Sequence, residues 1–174
     1  MNWPNKKDCE NFEIKGFIDS YKKLKHGRHF IVINEREKPD RIVKDELTGE
    51  EFGIELTSEY LNERSVPDKH MSDKSEYILE NQQNTDTYES RILDRIREKI
   101  EKAKKGYDLN YQLILSVYMN EYETIYMNED YWRDFAKRYE SFFDSIAPFI
   151  EIVLWPLPND LVVSVRKNNK EMGA

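Results

Sequence analysis

The spacing of apolar residues changes repeatedly along the chain, and this alternation restricts the fold more than any other feature of the sequence. From Cys9 to Leu24, apolar residues recur every three or four positions, which predicts an amphipathic helix. Three extended segments, rich in β-branched and aromatic residues, follow it at His29–Asn34, Asp40–Lys44 and Glu51–Thr57. Gly49 lies between the last two segments and can adopt a positive φ, so we expect an antiparallel meander.

The second half of the chain repeats the alternation with longer elements. The patterns predict two helices and three strands, at Thr87–Lys105, Tyr111–Met119, Glu129–Asp144, Phe149–Trp155 and Leu161–Arg166. Residues 58–86 are polar and are interpreted as a long loop with a short helical piece near Tyr77–Leu79, and residues 167–174 as a frayed tail. This order of elements predicts an α/β fold in which a mixed β-sheet is flanked by helices.

Length and charge limit the classes of protein to which the chain can belong. Its 174 residues fit one domain spanning 1–174, and no apolar run approaches the roughly 20 residues that cross a bilayer. The start of the sequence shows no charged-then-apolar leader, and a single cysteine, Cys9, fits a reducing compartment, so we expect a cytoplasmic protein without a membrane partner. A net charge of −7 disfavours coating of nucleic acid by overall attraction and leaves only local basic patches such as Lys22 to His29.

Several common catalytic motifs are missing from the sequence. The six glycines are too far apart to form a phosphate-binding loop or a dinucleotide fingerprint. No serine lies in a GxSxG elbow. His26 and His29 are three positions apart but lack the glutamate and the helical frame of an HExxH zinc site, so a polar helix end is the favoured interpretation of this pair.

Two carboxylates in the meander form the strongest chemical signal. Asp40 follows Pro39 at the start of the second extended segment, and Glu55 lies 15 positions later (55 − 40 = 15) in the third. In a hairpin that turns near residue 48, these two positions face each other, so both side chains can converge on one point. Paired carboxylate oxygens suit Mg²⁺ or Mn²⁺, and a bound Mg²⁺ keeps several waters and joins substrate phosphates.

The segments KPDRIV and FGIELT resemble the PD-(D/E)xK, or restriction-endonuclease-like, nuclease superfamily over about residues 9–119. The resemblance implies an αβββαβ core, here with a C-terminal helix and two further strands. It also implies that Asp40 and Glu55 are catalytic metal ligands, together with the carbonyl of Leu56. The superfamily often adds an acid from the first helix, and Glu10 lies on the apolar stripe of that helix. A residue favoured by the helix dipole is the alternative interpretation of Glu10.

The sequence departs from the superfamily pattern at Thr57, where a lysine is usual. In members with a displaced lysine, the following helix supplies the amine. Lys99 borders the inward stripe of that helix and is the first candidate for the catalytic amine, with Lys102 the second. Solvated helix lysines are the alternative interpretation of both.

Three functional hypotheses follow from these residues. The first is a metal-dependent nuclease that hydrolyses phosphodiester bonds of DNA in preference to RNA, with strand contacts from Lys22 to His29 and from Arg64 and Lys69 in the long loop. The second is a degenerate nuclease-fold domain that binds protein or nucleic acid, in which Thr57 marks the loss of the amine. The third is an unrelated α/β domain, in which Asp40 is a turn residue and Glu55 an exposed strand residue.

Aromatic residues are concentrated in the third predicted helix. Their helical spacing favours packing in the core, and base stacking or the interface of a homodimer are the alternatives. The residues concerned are Tyr131, Trp132, Phe135, Tyr139, Phe142 and Phe143.

Overall fold

A computed structural model describes residues 5–24, 26–58, 85–119 and 127–166. Of the predicted long loop 58–86, Ser58 belongs to a strand and residues 85 and 86 to a helix, because the flanking elements extend further than their apolar patterns indicate. The rest of that loop lies outside the described residues, as does the predicted tail 167–174. The helical piece near Tyr77–Leu79 and the predicted phosphate contacts Arg64 and Lys69 fall in the same part of the chain.

The described residues form helices and strands in the predicted order. The first four elements are α1 (Lys6–Tyr21), β1 (Phe30–Glu35), β2 (Arg41–Asp45) and β3 (Glu51–Ser58). The following elements are α2 (Thr85–Gly106), β4 (Gln112–Tyr118), α3 (Glu129–Arg138), α4 (Glu140–Phe143), β5 (Phe149–Leu157) and β6 (Leu161–Arg166). A 3₁₀ turn at Pro158–Asp160 joins β5 to β6.

The six strands form one mixed sheet in the order β1-β2-β3-β4-β5-β6. The first three are antiparallel, so the predicted meander is confirmed. β3, β4 and β5 are parallel, with α2 in the first crossover and α3 and α4 in the second, and β6 is antiparallel to β5. The predicted α/β class and the mixed sheet flanked by helices are therefore confirmed, and the restriction-endonuclease-like αβββαβ core stays a prediction.

Each face of the sheet buries a separate apolar cluster. On one face, Phe17 and Tyr21 of α1 pack against Phe52 and Trp155. Gly16 allows this close approach, because a Cβ at that position would lie 2.7 Å from the ring of Trp155. On the other face, the isoleucines and aromatic residues of α2 and α3 pack against β4 and β5, with Ile92, Ile96, Trp132, Phe135 and Phe149 at the centre. The aromatic face of the third predicted helix is thus part of the core, as expected.

The bounds of the other two predicted helices also differ from the prediction. α1 begins before Cys9, because the side chain of Asn5 accepts a hydrogen bond from the Asp8 N–H at 2.9 Å and caps the helix. The single helix predicted over Glu129–Asp144 is wrong, because the backbone leaves the α region at Tyr139, with φ −107° and ψ 24°. Among the described residues, no helix is both long enough and apolar enough to cross a membrane.

Candidate functional site

Asp40 lies immediately before β2, at the point where pairing of β2 with β3 ends. The last pair of the ladder is Arg41 with Ile54, and continuing this register places Asp40 opposite Glu55 and Pro39 opposite Leu56. Since proline has no N–H, it cannot donate to the carbonyl of Leu56 across this ladder. Asp40 Oδ2 instead accepts the Leu56 N–H at 2.8 Å. The end of the ladder therefore fixes Asp40 beside β3.

The turn before Asp40 packs directly against Gly53 of β3. A Cβ at Gly53 would lie 2.6 Å from Cγ of Pro39 and 2.7 Å from a methyl group of Leu113. The ring of Pro39 therefore occupies the space that a side chain at position 53 would need. Gly53 and Glu55 share one face of β3, because side chains alternate along a strand, so this packing brings the Pro39–Asp40 turn toward Glu55.

Glu55 is 2% exposed and is reached by two donors from the α2 side of the sheet. Lys99 Nζ and Tyr107 Oη each lie 2.5 Å from Oε1 of Glu55. Glu55 Oε2 is also buried, and no group in the described part of the chain forms a hydrogen bond with it. Oε1 of this carboxylate thus accepts two hydrogen bonds, whereas Oε2 is open, which means that it accepts none from the described residues.

Asp40 is buried and lies close enough to Glu55 for the charge of Glu55 to affect the pKa of Asp40. Burial and the negative charge of Glu55 together raise the pKa of Asp40 from 3.8 to about 7. The Leu56 N–H and the charge of Lys99 act in the opposite direction but do not cancel these effects, and Glu10 raises the pKa further. Two acids therefore share a space with too little positive charge, and a cation there would relieve their repulsion.

The structure brings only one of the two predicted lysines to the acids. The Lys99 side chain is 19% exposed, and its amine forms an ion pair with Glu55. Lys102 is 57% exposed and pairs with Glu98 at 2.6 Å along the solvent side of α2. The two lysines are three positions apart, which is about 60° around the helix, and Lys102 lies on the side further from the inward stripe of α2. The placement of Lys102 agrees with the alternative interpretation, a solvated helix lysine.

Glu10 lies near the acids, but its carboxylate is paired elsewhere. It contacts the guanidinium of Arg41 at 3.3 Å and the amine of Lys6 at 3.4 Å. Arg41 also donates to the backbone carbonyl of Asp40 at 2.8 Å and so links α1 to the start of β2. Over the described ranges, no three or more His, Cys, Asp or Glu side chains are grouped so as to hold a metal ion, and Glu10 therefore does not form a triad with Asp40 and Glu55.

Tyr107 is the residue at this location that the sequence analysis missed. It follows the last residue of α2, and its backbone N–H bonds to the carbonyl of Ala103 at 3.3 Å. A signal was present, since Tyr107 continues the inward stripe of Ile96, Ile100 and Ala103 at a spacing of four. A tyrosine at the end of an apolar stripe can pack its ring against the core and offer its hydroxyl to a polar partner.

The described residues of the basic stretch Lys22 to His29 differ in whether they are exposed or paired. His26 Nε2 lies 3.0 Å from Oε1 of the buried Glu151, and the hydroxyl of Tyr21 donates to Oε2 of the same carboxylate at 2.7 Å. The guanidinium of Arg28 lies 4.4 Å from the centre of the Phe52 ring. Lys22 and Lys23 are exposed, as predicted for a solvated helix end.

Comparison of the chain with protein-family models, curated proteins and solved structures gives no match. The resemblance to the PD-(D/E)xK superfamily therefore stays a prediction from the sequence.

Proposed function

We propose that this chain is a metal-dependent nuclease that hydrolyses phosphodiester bonds of DNA. The observation that supports the proposal best is the meeting of Asp40, Glu55 and Lys99 at one end of the β2–β3 ladder. Glu55 and Thr57 share a face of β3, so an amine from α2 reaches the face on which the superfamily's usual lysine would lie. Lys99 would in this way replace the amine that is absent at Thr57.

The donor set fits Mg²⁺ or Mn²⁺. The ligands would be Asp40, the open Oε2 of Glu55 and the carbonyl of Leu56, which are all hard oxygens, with water completing the coordination. Burial and the negative charge of Glu55 raise the pKa of Asp40, and a carboxyl pair of this kind is suited to hold a positive ion. When bound, such an ion lowers the pKa of a coordinated water and polarises a phosphate.

The chain's own groups supply the remaining steps. Asp40 is held by the Leu56 N–H and is therefore oriented before any ligand arrives. Lys99 is anchored on α2 and partly exposed, so its amine can turn from Glu55 to a phosphate oxygen that gains negative charge. This charge stabilisation does not require Lys99 to lose a proton.

The test is cleavage of labelled oligonucleotides by the purified chain with Mg²⁺, Mn²⁺ or EDTA. Single- and double-stranded DNA and the matching RNAs are compared for wild type, Asp40→Asn and Glu55→Gln, with Glu98→Gln as a surface control on α2. The proposal expects metal-dependent cleavage, faster on DNA, that both site variants lose and the control keeps. Absence of cleavage by the wild type on every substrate would contradict it.

A binding module is the second candidate, favoured by the ion pair of Lys99 with Glu55, which neutralises one acid internally. The absence of a three-carboxylate cluster from the described residues also supports it. Under this function, oligonucleotides or a protein partner bind without cleavage, and Asp40→Asn leaves the affinity unchanged. A homodimer and a cytoplasmic location stay predictions.

A further inference from the structure

The two donors on Glu55 are concentrated on a single oxygen. Lys99 and Tyr107 both bond to Oε1, although Oε2 is buried beside it and has no partner in the described residues. A carboxylate that only stabilises the fold gains more when its donors are spread over both oxygens, because a buried acceptor without a hydrogen bond destabilises the fold. The doubled bonding at Oε1 therefore requires an explanation.

We propose that Tyr107 is a positioning residue that holds Glu55 by Oε1 and so directs Oε2 to the cation, leaving Lys99 free to move to a phosphate. This inference rests on the proposed metal-dependent function. An ammonium and a metal ion compete for the same carboxylate charge, whereas a neutral phenol donates a hydrogen bond without adding positive charge. Tyr107 can therefore stay on Oε1 while a cation occupies Oε2.

The surroundings of Tyr107 suit this role. Its backbone is tied to the end of α2, and the next residue, Asp108, accepts a 2.7 Å bond from Arg36, in the segment that leads to Asp40. Tyr107 is thereby linked to β3 through Glu55 and, through its neighbour Asp108, to the segment before Asp40. A phenol is protonated at neutral pH, so the Tyr107 hydroxyl can donate this hydrogen bond to Oε1.

The experiment measures Mn²⁺ affinity by electron paramagnetic resonance for wild type, Tyr107→Phe and Lys99→Met. Tyr131→Phe is a matched control, because Tyr131 donates a bond of the same 2.5 Å length to another buried glutamate, Glu89. We expect Tyr107→Phe to weaken Mn²⁺ binding about tenfold or more, as is typical when a group that orients a metal ligand is removed. Lys99→Met should bind Mn²⁺ at least as tightly as the wild type, since a competing cation is gone. Tyr131→Phe should leave the affinity unchanged.

Thermal unfolding of the two phenylalanine variants verifies that both fold, and each keeps its ring. Wild-type affinity in Tyr107→Phe would overturn the inference and leave the proposed function standing. An equal loss in Tyr131→Phe would also overturn it, because the effect would then be general destabilisation. If the wild type binds no Mn²⁺, the proposed function fails, and the inference fails with it.

Discussion

Two buried glutamates on the same side of the sheet, Glu89 and Glu55, differ in how completely their carboxylates are hydrogen-bonded. Glu89 and Glu55 are each 2% exposed, and each accepts a 2.5 Å bond from a tyrosine. Glu89 receives two donors on each oxygen, from the guanidinium of Arg138 and the hydroxyls of Tyr131 and Tyr139. Although burial acts against it, this pairing keeps the pKa of Glu89 below its ordinary value.

Glu55 has two donors on one oxygen, and the acid beside it, Asp40, has a raised pKa. The chain is therefore able to satisfy a buried carboxylate completely, and at Glu55 it does not. An incompletely paired acid next to a second acid destabilises the fold, and such arrangements are concentrated at functional sites. The difference fits a structural role for Glu89 and the proposed metal-binding role for Glu55.

The largest effect is expected from Lys99→Met, compared with Lys102→Met on the same helix. If Lys99 stabilises charge on the phosphate, its loss should slow metal-dependent cleavage by on the order of 10²–10³-fold. Lys102 pairs with Glu98 on the solvent side, so its loss should change the rate less than twofold. Cleavage rates under saturating Mg²⁺ measure both. Equal rates for the two variants would remove Lys99 from the mechanism.

Arg138→Met should remove the ion pair of the buried Glu89 and destabilise the fold. Removing the guanidinium leaves Glu89 buried with only its tyrosine donors, so we expect a loss of about 2 kcal/mol in the free energy of unfolding. Arg133→Met is the control, because Arg133 pairs with Glu129 on the surface of α3, where such pairs contribute at most about 1 kcal/mol. Urea unfolding measures both. A loss no larger than that of the control would mean that Glu89 is not held as described.

Asp40→Asn should stabilise the fold at pH 8, by on the order of 1–2 kcal/mol, because it removes a buried charge that Glu55 repels. The folded pKa of Asp40 is about 7, above its ordinary 3.8, so the folded chain binds more protons between these values. The stability that Asp40 contributes is therefore complete below about pH 4 and is lost as the pH rises to about 7. Thermal unfolding from pH 4 to pH 8 should show the advantage of Asp40→Asn growing with pH, and a constant difference would contradict the shift.

The smallest effect is expected from the two tyrosine variants, Tyr131→Phe and Tyr107→Phe. Tyr131→Phe removes one of four bonds to Glu89, and Tyr107→Phe removes one of two bonds to Oε1 of Glu55, where Lys99 remains. Each change should lower the free energy of unfolding by about 1 kcal/mol. The two losses should agree within about 0.5 kcal/mol in urea unfolding without metal. A much larger loss for Tyr107→Phe would mean that the main role of Tyr107 is to stabilise the fold.

Local sequence determined the elements and the pairing of the two acids. The spacing of apolar residues predicts a helix or a strand, because residues that repeat with the period of the element lie on the face that packs against the core. The connection between β2 and β3 is short, and Gly49 adopts the predicted positive φ of 77°, so the register that sets Asp40 opposite Glu55 follows from the hairpin itself. The acids could therefore be selected from the sequence.

The partners of those acids were decided by the tertiary structure. Periodicity placed Lys99 at the border of the inward stripe of α2, but the packing of α2 on the sheet decides that its amine reaches Glu55 while Lys102 pairs with Glu98. In the sequence, Glu55 and Glu89 are both acids within apolar patterns. Their donors come from residues 42 to 52 positions away, so long-range packing determines which of the two is fully paired. Periodicity describes an element's own face, and it contains no information about which distant side chain arrives there.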